Sequence, residues 1–180
     1  MISNLLQTIN KDIPEFESMD SGIDFLMVYL LELSEDLDSR SFFVNKRWIE
    51  VRDNVQFQEK ILHVFNEDGI YMRILEGDIV EGTWELSIGG FIIKHSGTHE
   101  LYECVFLNED YFILKKHGDH TVKAYRNKYF FMTKEALADQ YEWNELLLEL
   151  FSSYKSNAKY ILVILMLVAF VLLVLLFSLP

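Results

Sequence analysis

The chain has little of what most folds use as covalent staples or breaks: one cysteine, Cys104, and two prolines in 180 residues. A lone cysteine excludes an internal disulfide framework and fits a reducing compartment. Cys104 lies in the strand-like run Leu101-Tyr102-Glu103-Cys104-Val105-Phe106, where it reads as a small, partly buried hydrophobe rather than a nucleophile. Positive charge is also scarce, with 16 Lys and Arg against 28 Asp and Glu and a formal charge of -12. No basic stripe offsets this charge, so the chain repels phosphate backbones and nucleic acid is excluded as a partner. The opening MISNLLQTINKD has neither a basic n-region nor an apolar h-region, so export is not expected. GxSxG, P-loop, GxGxxG and CxxC signatures are all missing, so no cofactor and no enzymatic activity are expected.

What the chain does have is a long apolar run. Tyr160 to Leu179 reads YILVILMLVAFVLLVLLFSL, twenty residues without a charge. As a helix this run is about 30 Å long, the thickness of a bilayer hydrocarbon core. Tyr160, Ile161, Leu165, Phe170 and Leu179 belong to the expected anchor. Lys155 and Lys159 precede it, and positive flanks favour the cytosolic side. The expectation is a tail-anchored, single-pass membrane protein whose soluble part, residues 1–157, is cytoplasmic.

In that soluble part, residues 22–37 place Ile23, Leu26, Met27, Leu30, Leu31 and Leu33 or Leu37 at helical spacing, with Asp20 and Ser21 as caps. From Lys46 onward the pattern becomes short alternating runs. Strands are predicted at 46–52, 56–65, 70–75, 79–88, 91–95, 99–107, 111–117 and 120–127. Short turns such as Gly89-Gly90 and Gly118-Asp119 suit two-residue hairpins, which join only antiparallel neighbours. The fold class is α+β, an antiparallel meander of about eight strands curling into a small barrel or half-barrel. A second helix is predicted from about Thr133 to Tyr154, leading into the membrane span. The resulting divisions are an acidic helical segment 1–40, a β domain 41–131, an amphipathic helix 132–157 and an anchor 158–180.

The run HVFNEDGIYMRILEGDIVEGTWELSIGGFIIKHSG resembles the small lipocalin-like β-barrel domains of bacteria, through Phe65, Gly69, Gly82, Thr83, Trp84 and Leu86, with Leu107 and Leu114 further on. The resemblance covers about residues 46–127 and implies a barrel with a binding cavity. Such domains are usually exported, whereas export is not expected here from the opening MISNLLQTINKD. A second resemblance is to pleckstrin-homology-like domains, through TKEALADQYEWNELLLEL with Trp143. The basic loop of those domains is not visible here, Lys115, Lys116 and Lys123 being nearest to it. Both resemblances imply a meander with a binding surface rather than catalysis, and the barrel reading is preferred.

Two clusters are candidates for chemistry. In His117-Gly118-Asp119-His120 a two-residue turn brings the imidazoles to about 5 Å across a strand pair, a spacing that can hold a metal; the bland reading is an exposed polar hairpin tip. A His-dependent metalloenzyme rests on this cluster alone. Trp84, Phe91, Tyr102 and Phe106 line an apolar cavity if the meander closes, or fill its core if no cavity forms. The expected function is to bind a protein partner with a basic surface and tether it at the membrane bilayer. The alternative is a lipocalin-like carrier of a small apolar ligand or lipid.

Overall fold

The computed structural model describes residues 15–54, 59–88, 90–118, 127–154 and 166–168. The described residues fall in two compact units, those up to Leu147 in one and residues 148–154 and 166–168 in the other. The first unit holds a closed barrel whose eight antiparallel strands follow sequence order. They are β1 (Arg47–Val51), β2 (Ile61–Phe65), β3 (Ile70–Leu75), β4 (Asp78–Ser87), β5 (Gly90–His95), β6 (Thr98–Leu107), β7 (Tyr111–Lys116) and β8 (Tyr129–Lys134). Closure is made by β1 on β8, with Trp48 opposite Lys134 and Val51 opposite Phe131. Closing the sheet satisfies the edge strands without a partner chain.

The hairpins come from local backbone chemistry. Leu75 pairs with Asp78 and His95 with Thr98, so Glu76-Gly77 and Ser96-Gly97 are two-residue loops. All four loop residues have positive φ, the requirement of the turn whose twist matches that of the strands. A bulge between Cys104 and Phe106 shifts the register of β6 against β7 and bends the sheet there.

The eighth strand differs from expectation. The predicted strand 120–127 lies almost wholly outside the described residues, and Tyr129–Lys134 closes the barrel. Thr133, expected to cap a helix, is instead a fully buried strand residue whose hydroxyl donates to the Asp110 carbonyl at 2.9 Å. The predicted second helix is broken into α2 (Glu135–Ala138) and a helix over residues 143–154 (α3). Its first predicted turn is spent closing the sheet.

The N-terminal helix is also shorter and starts earlier than predicted. It runs Met19–Leu30 (α1), with the Ser18 hydroxyl accepting from the Ser21 N–H and the Ser21 hydroxyl accepting in return from the Ser18 N–H. It ends because the next residues bond to the sheet: Glu35 N–H donates to the Leu107 carbonyl at 2.8 Å, and Leu107 N–H to the Ser34 hydroxyl at 3.0 Å. Asp20 docks the helix rather than capping it, accepting from the N–H groups of Lys128 and Tyr129. Met19, Ile23, Leu26 and Leu30 form its buried face.

One half of the barrel interior is solid. Phe43, Trp48, Phe65, Trp84, Phe91, Phe112, Leu114 and Met132 belong to one buried cluster. Phe43 plugs that end, its ring 5.3 Å from Trp84 and 5.3 Å from Phe112. Both indole N–H groups inside are satisfied, Trp48 by the Phe43 carbonyl and Trp84 by the Asn66 carbonyl.

Of the second unit, residues 148–154 and 166–168 are described, and both stretches are helical. Among the described residues, no helix is long and apolar enough to cross a membrane. Tyr160, Ile161, Leu165, Phe170 and Leu179 of the expected anchor lie outside the described residues.

Candidate functional site

Along the strands, the side chains facing the barrel axis change character at one end. On β1, Trp48 gives way to Glu50 and then Arg52. On β2, Phe65 gives way to His63, and on β3 Tyr71 is followed by Arg73. On β5, β6 and β7 the same step leads from Ile93 to His95, Tyr102 to Glu100 and Leu114 to Lys116. A two-residue step keeps a side chain on the same face. Because neighbouring strands are antiparallel, the polar residues at alternating C- and N-terminal ends gather at one mouth of the barrel. They line a cavity of about 470 Å³.

The cavity wall is cross-linked by hydrogen bonds. His63 is fully enclosed, with Nδ1 2.7 Å from the Tyr71 hydroxyl and Nε2 3.1 Å from a Glu50 oxygen. The other Glu50 oxygen accepts from Arg52 Nε at 2.7 Å. Burial by itself would raise the Glu50 carboxyl, but the donors His63 and Arg52 outweigh it and hold it down at about 2. Glu50 is therefore ionised and can only accept, so Nε2 of His63 carries a proton. Burial keeps His63 below its ordinary value and neutral, which leaves Nδ1 to accept from the Tyr71 O–H. On the opposite wall, Glu100 takes the Tyr102 hydroxyl at 2.6 Å through one oxygen and Lys116 through the other.

Position 82 makes room for this arrangement. Gly82 stands between Tyr71 on β3 and His95 on β5, whose rings are 5.6 Å apart. A Cβ there would meet the Lys94 carbonyl oxygen at 2.2 Å and His95 Cβ at 2.8 Å.

The chemistry offered is hydrogen bonding and charge pairing. Burial pushes the Tyr71 and Tyr102 hydroxyls well above the usual tyrosine range, so they stay protonated and act as donors. Cys104 is raised to about 12 by burial and carries no thiolate at neutral pH. Among the described residues, no group of three or more His, Cys, Asp or Glu is placed to hold a metal.

The residues singled out by sequence fall in different places. Tyr102 lines the cavity, whereas Trp84 and Phe91 stack at 5.4 Å in the solid half. Phe106, set by the bulge opposite Ile113, is buried outside that cluster. His117 is exposed, its N–H on the Leu101 carbonyl, and His120 lies outside the described residues. Sequence reading missed Glu50, His63, Arg73 and Glu100, as well as the inward Tyr71, and named Lys116 only as part of the nearest match to a basic loop. The signal that finds the charged residues and His63 is a charged residue or His two places along the strand from an inward aromatic or apolar one, repeated strand after strand.

Fold and site define a closed eight-stranded antiparallel meander barrel, filled at one end and hollow and polar at the other. This architecture is compatible with a lipocalin-like barrel. Comparison of the chain with protein-family models, with curated proteins and with solved structures finds no match to any of them.

Proposed function

We propose that this protein is a binding module, held at a membrane by the uncharged run 160–179, that takes a small polar molecule into the open end of its barrel. The observation that carries this reading is the cavity of about 470 Å³ left in a barrel whose other half is packed solid. A small barrel tends to fill its interior, and a volume in the usual range of ligand sites is the exception. A lining of Glu50, His63, Arg73, His95, Glu100 and Lys116 supports a polar ligand rather than the apolar cargo of the alternative, carrier reading of the sequence. Protonated hydroxyls and a buried thiol support binding rather than nucleophilic catalysis.

Native mass spectrometry of the full chain, released from detergent, tests this reading. A small-molecule adduct is expected, and it should disappear in His95→Trp, which fills the mouth. A clean apo mass, together with no thermal shift across a panel of polar metabolites, would overturn the proposal. A second reading, a tether for a basic protein partner, is favoured by the charge of -12. Its test is salt-sensitive, stoichiometric co-purification from a detergent extract, and recovery of no partner at low salt would remove it.

A further inference from the structure

We propose that the cavity takes a small organic oxyanion, with a carboxylate or phosphate paired to the Arg73 guanidinium and an apolar body against Tyr102 and Phe130. The inference rests on the binding reading above and adds the sign of the ligand's charge.

Three carboxylates line the cavity, and each already has donors. Glu50 takes Arg52 and His63, Glu100 takes Tyr102 and Lys116, and Asp53 accepts from the Met19 N–H at 3.0 Å. Arg52 and Lys116 are committed to these carboxylates. Arg73 is different. Its half-buried side chain lines the same cavity, yet no hydrogen bond or ion pair joins its guanidinium to any described residue. The imidazole of His95, one strand further along beside the Tyr71 ring, likewise makes no hydrogen bond to a described residue. Arg73 is thus a cation with no acceptor among the described residues, while Glu50 and Glu100 already have Arg52 and Lys116 beside them.

That imbalance selects an anion. A cationic ligand would meet the like charge of Arg73, and two of the three carboxylates, Glu50 and Glu100, are already paired with cations. An oxyanion meets a planar fork that can bind two oxygens at once, in surroundings drier than bulk water, where charge-assisted bonds are strong. The rings of Tyr102 and Phe130, 5.7 Å apart, supply an apolar surface for the rest of the ligand. A volume of about 470 Å³ suits a compact acid with a single ring.

The test uses the full chain in a mild detergent and three probes of one shape: benzoate, phenyl phosphate and neutral benzamide. Titration calorimetry is expected to show at least one of the two anions binding about tenfold or more tightly than benzamide. The tighter of the two assigns carboxylate or phosphate. Arg73→Gln is expected to bring that anion down to the benzamide level without moving the unfolding midpoint. Arg73→Lys, which keeps the charge and loses the fork, should fall between. Benzamide binding as well as both anions would leave the cavity a ligand site and overturn the anion. Anion binding undiminished in both Arg73 variants would also overturn it. No binding by any probe, with a clean apo mass, would overturn this inference and the binding reading together.

Discussion

Both ring nitrogens of His63 are committed, so the side chain acts as a strut between β1 and β3 rather than as a titrating group facing water. Removing the Tyr71 hydroxyl leaves Nδ1 buried without a donor, and an orphaned buried acceptor costs about 1–3 kcal/mol. Tyr71→Phe is therefore expected to lower stability by about that amount, read from urea unfolding of the full chain in detergent. An unchanged midpoint would mean that water reaches Nδ1 in place of the hydroxyl. Glu50 with Arg52 and Glu100 with Lys116 are similarly paired inside the cavity, a placement that sequence reading passed over. A lone glutamate or arginine in a strand reads as solvent-facing, and nothing local says that Glu50 and His63 point at each other across a closed sheet.

At the scale of elements, much of the barrel is legible. The alternation in IYMRIL and FIIKH and the glycine-bearing turns place β3 and β5 within a residue of their observed ends. The closing strand is not legible, because Phe131-Met132-Thr133 is buried without a break and so lacks the alternation of a one-sided strand. The end of α1 is equally hidden, since Ser34 and Glu35 leave the helix for bonds to Leu107, a partner 73 residues away from Ser34. Gly82 shows an element-scale constraint that can be tested. With the Lys94 carbonyl 2.2 Å from where a Cβ would stand, Gly82→Val must push β4 and β5 apart. A loss of about 1–3 kcal/mol or more is expected, as for overpacked interiors. Weakened binding of any cavity ligand should accompany it, because His95 sits on the displaced strand. Wild-type stability and binding in this variant would show that the strand pair yields without cost.

For the whole molecule, the buried network sets how stability responds to acid. His63 has a folded pKa below its ordinary value of 6.5, because burial disfavours the charged ring. Above that value the ring is neutral in both states and contributes no pH dependence. As pH falls below 6.5 the unfolded chain takes up this proton and the folded chain does not, so stability declines. Glu50 adds a second loss, from its ordinary 4.5 down towards about 2, as a carboxylate stabilised in the fold is protonated. The urea midpoint is therefore expected to be lower at pH 5 than at pH 7.5, and His63→Gln should flatten that interval. A midpoint that holds steady in the wild type between those values would show that the ring charges within the fold.

Sequence by itself determined the barrel's class, most of its strands and hairpins, and the uncharged run 160–179, because period-two alternation, glycine-bearing turns and unbroken apolarity are local properties of the chain. Only the tertiary structure decided which strand closes the sheet and that its interior is filled at one end and hollow at the other. Whether an inward residue meets a partner or open space depends on strands many residues apart. Closure of the sheet brings Glu50, His63, Arg73, Glu100 and Lys116 to one mouth, and no local pattern reports that convergence.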